Sequence, residues 1–380
     1  MVLNELTFKQ GDVIQDEDLE ESEERLLTLG IFVSSKIECE SGNCLVNLQE
    51  KWTTIPIFKA SSGGGVQHYT LGIYDPNLLG RYLETGAQIE SLAGLLGGVV
   101  WFRDRRFLGK KMMLDLQQWK INRVRIKYDQ DLDQPTETKA FIQDRSQTVV
   151  AIEPEWDQFK LRLGFEFHSD QFGRNGLDER YKRLFNGQSL PPATQVIQPI
   201  LGIGFGQMKA KSWKLDGHTF HFEILPSFVV KGDEGNFVGS KAEYLGAKSL
   251  GDRWNLVQRF VAGTTTTNYL QYWNYLGGLD RIRGYRDNRF AGRHFLLSNS
   301  EVRPILFESS KFIIQGNAFL DLTTVGEETK DLGTLKGASA GAGLRLIVPK
   351  IYRLVLRLDY AKPLVREDDQ NFSFGVQQFF

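Results

Sequence analysis

No apolar run in this chain approaches the ~20 residues that a membrane-spanning helix needs. Proline (11) and methionine (4) are sparse, and two cysteines among 380 residues fit neither the count nor the spacing of a zinc site. An excess of one charge sign is lacking too. The 46 Lys and Arg against 47 Asp and Glu leave a net charge of -1, which gives no global pull toward nucleic acid. At 41% hydrophobic and a mean hydropathy of -0.30, the bulk composition resembles that of a soluble protein. A membrane β-barrel escapes that reading, because its strands alternate lipid-facing apolar residues with polar lumen residues. Glycine (38) and phenylalanine (26) are plentiful, which suits many strands, tight turns and aromatic girdles.

The last ten residues, Asn371 to Phe380, form an alternating strand that stops on an aromatic carboxyl terminus. An ordinary soluble β-domain rarely ends on an unpaired apolar edge, which invites aggregation, whereas a closed barrel needs a last strand to pair with its first. Phe372, Phe374, Val376 and Phe380 are expected to face lipid, and Ser373, Gly375, Gln377 and Phe379 the lumen.

The same two-residue period recurs upstream. Phe159, Leu161, Leu163, Phe165 and Phe167 alternate with Lys160, Arg162, Gly164, Glu166 and His168, and Leu354, Leu356, Leu358 and Tyr360 flank Arg357 and Asp359. Charges on so many alternating strands imply a wet, ionic interior and not a packed sandwich core. Strands are expected near 66–74, 81–90, 97–103, 109–117, 119–128, 146–153, 158–168, 196–213, 219–231 and 237–248. Further strands fall near 254–264, 294–303, 311–321, 337–348, 353–362 and 371–380. The fold class is therefore an all-β membrane protein, an antiparallel transmembrane β-barrel of about sixteen strands. The connectors 129–145, 169–195, 265–293 and 322–336 all fall on one side, and turns such as Glu153–Trp156 and Pro349-Lys350 on the other. Long loops face outside and short turns the periplasm, so both barrel ends start from the periplasm.

Residues 1–55 differ in kind. Asp16-Glu17-Asp18 opens a helical segment with Leu19, Leu26, Leu27 and Leu29 as its apolar positions and Gly30 as its end. Two strands follow, Ile31 to Cys39 and Cys44 to Glu50, in a piece too short to be stable as a whole domain. In an oxidising periplasm Cys39 and Cys44 are candidates for a disulfide; two free thiols in one hairpin are the alternative.

Several motifs carry a family resemblance. Phe8-Lys9-Gln10-Gly11-Asp12, Leu26 through Phe32 and Val46 through Trp52 resemble the later part of a POTRA (polypeptide-transport-associated) domain. Asp75-Pro76-Asn77-Leu78-Leu79-Gly80 resembles the first outer hairpin of the BamA/TamA-like outer-membrane-protein-85 superfamily, also called bacterial surface antigens. Gly277-Gly278, then Ile282-Arg283-Gly284-Tyr285, then Asn299 through Pro304 are similar to the family's sixth-loop signature and the strand after it. Phe319-Leu320-Asp321, Ser339 through Arg345 and Leu356 through Leu364 continue the resemblance to the terminus. The loop carrying Arg283 is shorter than in the insertase branch, and Gln378 stands where the terminal assembly signal usually has an apolar residue. The resemblance implies a partial POTRA over 1–55 in the periplasm and a barrel over 56–380 in the bacterial outer membrane. It also implies lipid contact, an unfolded or secreted polypeptide client and accessory periplasmic subunits.

Arg283 can be argued from its chemistry. A guanidinium inside a barrel keeps its charge and needs carboxylates that match its planar fork. Glu301 and Asp321 face the lumen by alternation on the two strands after its loop. Gly284 lets the backbone turn sharply, and Tyr285 packs against the wall. A purely structural salt bridge is the bland alternative, since buried ion pairs are weak evidence for function.

No enzyme, cofactor or metal site is expected. Gly337-Ala338-Ser339-Ala340-Gly341 matches a nucleophile elbow but runs straight into a strand instead of a helix. His68, His168, His218, His221 and His294 are scattered without ligand spacing, and Gly202 through Gly206 precedes no helix. Three functional readings remain. The first is an assembly factor whose first and last strands form a seam loosened by Gly63-Gly64-Gly65 and Gly375 and closed by Phe380. The second is a polypeptide translocator that uses the lumen. The third is the anchor of a surface or enzymatic domain upstream of residue 1, and an exported barrel also requires a signal that has been removed or lies upstream.

Overall fold

The computed structural model describes residues 2–29, 31–40, 42–50, 52–129, 137–156, 158–177, 189–211, 214–233, 235–278, 281–309, 311–348 and 355–376. Its N-terminal part is a small α/β unit. Helix α1 (Asp16–Thr28) carries Asp16, Glu17 and Asp18 in its first turn, where carboxylates offset the positive end of the helix dipole. The Gln15 backbone N–H donates to the Asp18 carboxylate at 3.0 Å, one half of a reciprocal capping box. Leu26 is fully buried against Phe8, Ile31, Phe32 and Ile37, beneath the hairpin of β1 (Phe32–Glu40) and β2 (Asn43–Glu50). Cys39 and Cys44 face each other across that hairpin and are joined by a disulfide. The described residues of this unit hold one α-helix, and the fold alone does not show a POTRA domain.

Sixteen strands among the described residues close into one antiparallel barrel. In chain order they begin with β3 (Ile55–Gly63), β4 (Val66–Leu78), β5 (Leu83–Leu92), β6 (Leu95–Asp104), β7 (Met112–Tyr128) and β8 (Glu137–Trp156). Next come β9 (Phe159–Gly173), β10 (Thr194–Lys211), β11 (Lys214–Lys231), β12 (Phe237–Leu250) and β13 (Trp254–Thr265). A long inward connection holds the short pair β14 (Asn274–Leu276) and β15 (Phe290–Gly292). The barrel finishes with β16 (His294–Glu308), β17 (Ile313–Gly326), β18 (Gly337–Ile347), β19 (Val355–Val365) and β20 (Phe372–Val376), which returns to β3. Alternation decides the two faces. On β9, Phe165 and Phe167 are exposed on the outer wall while His168 is buried inside, and on β20 Phe372 and Phe374 point out while Ser373 and Gly375 point in.

The long connections lie on one side, together with the two-residue turns β3–β4 and β5–β6, and the other short turns lie with the N-terminal unit on the opposite side. Several strand assignments change. The first barrel strand is β3, not 66–74, so strands expected at 66–74, 81–90 and 97–103 run opposite to the direction anticipated. Pro56 and the polar run Lys59 to Ser62 disguised β3, and a proline fits there because β3 lies at the seam and its unshared edge needs no ladder donor. The strands expected at 109–117 and 119–128 are one, β7, and this merger offsets the missed β3 in the total. Asp75 to Gly80 therefore turns on the short-turn side beside the N-terminal unit, not outside. Glu153 to Trp156 belongs to β8, with Pro154 opposite Met112. Pro349 and Lys350 lie outside the described residues.

Candidate functional site: the lumen clamp and the strand seam

The lumen is not simply wet. The connection between β13 and β16 folds into it, and Leu276, Ile282, Tyr285 and Phe290 pack with Val261, Phe295, Leu297 and Val325 in a buried apolar plug. Below that plug sits Arg283, with no exposed surface. Its Nε and Nη2 each donate to the Asp321 carboxylate at 2.8 Å, in the two-pronged geometry that only a planar guanidinium makes. Nη1 donates to Glu301 at 2.6 Å, and the Arg283 backbone N–H donates to Asp321 at 3.1 Å. The guanidinium also lies over the Phe319 ring, 3.4 Å from its centre.

Residues that the sequence reasoning left aside complete the network. Arg303 and Arg345 donate to the second oxygen of Glu301 at 2.7 and 2.9 Å, and Arg357 donates to Asp359 at 3.0 Å. Asn299 links the wall to the loop, donating to both Asp321 and the Arg281 carbonyl at 2.9 Å. Their signal was present in the alternation of β16 to β19, which puts Arg303, Arg345, Arg357 and Asp359 on the same face as Glu301 and Asp321. Charges this deep are tolerable only when each finds a partner, so removing one partner is far costlier than the net worth of the pair.

Gly284 takes φ +88°, a left-handed conformation that turns the chain at the clamp. Tyr285 packs edge-on against Phe290, with ring centres 5.0 Å apart. Its hydroxyl donates to the Ala338 carbonyl at 2.7 Å and also bonds the Val365 carbonyl. Ser339 lies near the start of β18, which runs on as a strand to Ile347, so the strand-to-helix turn of an elbow is absent there.

The seam is the second feature. β20 pairs with β19 from Tyr360↔Phe372 to Leu356↔Val376, but with β3 only at Phe374↔Ser62 and Gly375↔Ser61 among the described residues. Gly375 thus belongs to the seam, whereas Gly65 does not. Gly64 and Gly65 form the turn from β3 to β4 with φ +63° and +75°, so the glycines terminate the first strand instead of leading into it. Phe380 lies outside the described residues.

The inward loop spans the outer end of this seam. On one side the Asp287 N–H donates to the Gly64 carbonyl at 2.8 Å. On the other, Arg286 donates to Asp368 at 3.1 Å from its backbone and to Asp369 at 3.1 Å from Nη2, and Gly284 bridges to Gln370. Burial pushes the Asp368 carboxyl above the usual carboxylate range, while the hydrogen bond from Gln370 holds Asp369 below it. The approach is close: a Cβ on Gly278 would sit 2.0 Å from the Tyr285 carbonyl oxygen, and one on Gly64 would sit 2.6 Å from the Asp287 nitrogen.

A closed barrel with apolar outer walls, an ionic lumen and a loop clamped inside it defines an outer-membrane β-barrel with an inward plug. Residues 205–380 match the Omp85 superfamily domain. Among solved structures, it is similar to BamA from Haemophilus ducreyi lacking POTRA domains 1-3, at 15% identity and a TM-score of 0.68, over 99% of this chain and 80% of that one. It is also similar to CdiB from Escherichia coli (12% identity, TM-score 0.69, 99% of this chain and 73% of that one). CdiB from Acinetobacter baumannii gives 12% identity and a TM-score of 0.63, over 98% of this chain and 69% of that one. At such identities the likeness concerns the fold. No curated protein matches the sequence.

Proposed function

We propose that this protein is an outer-membrane protein assembly factor that opens sideways at the β20–β3 seam and offers the freed edges to an incoming client strand. The carrying observation is the seam itself. Val376 is paired with Leu356 in β19 and has no partner in β3, so among the described residues the barrel closes there through two residue pairs. An edge with unmade ladder bonds is a template for strand addition. The lumen, filled by the clamped loop, favours a sideways route over a path through the centre. In this reading residues 1–55 are a POTRA remnant in the periplasm that meets clients or accessory subunits. The work is done by edge pairing, without a catalytic residue, cofactor or nucleic acid.

A cysteine pair placed at Ser62→Cys and Phe374→Cys, a register pair across the seam, tests this. The oxidised form is expected to stay folded and lose support of its clients, and reduction is expected to restore it. If the crosslinked barrel supports its clients fully, opening is not required. The protein is then a translocator that passes polypeptide through the lumen, which would conduct once the loop is displaced, or an anchor for an upstream domain.

A further inference from the structure

Two neighbouring turns on the short-turn rim share an unusual tip. Leu79-Gly80-Arg81 joins β4 to β5, and Leu108-Gly109-Lys110 joins β6 to β7. In the first, the Arg81 N–H donates to the Leu78 carbonyl at 3.2 Å, and the two residues between take φ +55° and +68°. In the second, the Lys110 N–H donates to the Phe107 carbonyl at 3.2 Å, around φ +56° and +69°. Both are two-residue turns with both corners left-handed, which Asn-Gly or Asp-Gly adopt with little strain and a bulky residue does not. On the opposite rim the corresponding corners are small, Gly64-Gly65 and Ala93-Gly94. Of these four turns, only the two on the short-turn rim carry a leucine at a left-handed corner.

Those leucines gain no packing inside the protein: Leu79 is 82% exposed and Leu108 72%. Their neighbours turn the other way, since Tyr82 enters the core of the N-terminal unit and Arg106 donates to Glu5 at 2.6 Å. The exposed Arg81, Lys110 and Lys111 beside the tips form no ion pair among the described residues. Above the tips the outer wall is apolar, with Ile73, Val100 and Val150 all exposed. Strain with no internal return points to an external partner, and an apolar tip flanked by cations below an apolar wall fits the headgroup layer of a bilayer.

We propose that Leu79 and Leu108 dip into the periplasm-facing leaflet as paired fingers, while Arg81, Lys110 and Lys111 bind the phosphates of anionic phospholipid headgroups. This rests on the barrel lying in the membrane as read above. The fingers hold the β4–β7 rim at a fixed depth, beginning one strand away from the seam.

Because both cysteines are in the disulfide, a single new thiol can be labelled. Leu79→Cys, Leu108→Cys and, as a mid-wall control, Leu71→Cys are each given an environment-sensitive fluorophore and folded into vesicles of phosphatidylcholine and phosphatidylglycerol. The two tip labels are expected to shift to the blue and to be quenched by lipids carrying a spin label near the headgroup, and the Leu71 label by chain-end spin labels. Headgroup-labelled phosphatidylglycerol should quench the tips about twofold or more better than labelled phosphatidylcholine, a preference lost in the Arg81→Ser, Lys110→Ser, Lys111→Ser variant. Tip labels that emit as in water and escape quenching, with Leu71 quenched, overturn the fingers alone; equal quenching by both lipids overturns the phosphate contact. An unquenched Leu71 label overturns the membrane placement itself.

Discussion

The wall at β7–β8 and the seam at β20–β3 are made of the same backbone chemistry and differ in how they are held. β7 and β8 stay in register from Met112↔Pro154 to Tyr128↔Glu137, with one bulge near the outer end. Among the described residues β20 and β3 share two pairs. A ladder adds a small net gain for each bond made, so over the described residues the long wall is held by its ladder more firmly than the seam. What spans the seam is side chains and one loop: Asp287 on Gly64, and Arg286 on Asp368 and Asp369. That loop is fixed in turn by Arg283 on Asp321 and Glu301. The latch across the seam therefore depends on an ion cluster several strands away from it.

The largest expected disturbance of this contrast is Asp321→Ala. It strips the Arg283 fork and backbone of their main acceptor and costs on the order of 3 kcal/mol of local stability. Protease cutting within 277–293 and altered heat-modifiable gel migration should follow. Unchanged protection would mean that Glu301, Asp359 and the apolar plug hold the loop by themselves.

A smaller effect is expected from Gly278→Ala. Its Cβ would meet the Tyr285 carbonyl at 2.0 Å, so the loop must shift from the Gly64 turn, at a cost of about 1–3 kcal/mol typical of overpacking. Hydrogen exchange should rise in β3 and β20 and stay constant in β7 and β8. A uniform rise would remove the distinction between self-held and loop-held wall.

The smallest is Arg286→Ser. Its Nη2 pairs with exposed Asp369 at 3.1 Å and its Nε with the buried Asp368 carboxylate at 3.2 Å, but the backbone N–H to Asp368 survives the change, so the loss is about 1 kcal/mol. Seam exchange should quicken slightly, and added salt should have less effect on the variant than on the parent because the screened contact is already gone. A salt response equal to the parent's would assign the outer latch to Asp287 and Gly64 alone.

Strands with strict alternation were legible in the sequence, as on β9, where every second residue from Phe159 to Phe167 is apolar and the outward face follows without further information. Strands that carry a special task were not. β3 mixes Pro56, Lys59 and two serines because it is a seam edge, and β7 carries polar Gln118 on its outer face, where it bonds Thr148. Alternation also placed Glu301 and Asp321 on the lumen face, and the chemistry of Arg283 required such partners. Nothing local indicated that Gly63-Gly64-Gly65 would end the first strand and receive a loop from more than two hundred residues away.

The sequence by itself determined the class of fold, the approximate strand number and the residues able to form a buried guanidinium clamp, because these follow from a two-residue period and from charges that cannot be left unpaired. Only the tertiary structure decided which strand is first, which face of the molecule Asp75 to Gly80 belongs to, and how the inward loop spans the seam. Direction and closure depend on pairings between distant segments, and a local pattern of apolar and polar residues reads the same whichever way its strand runs.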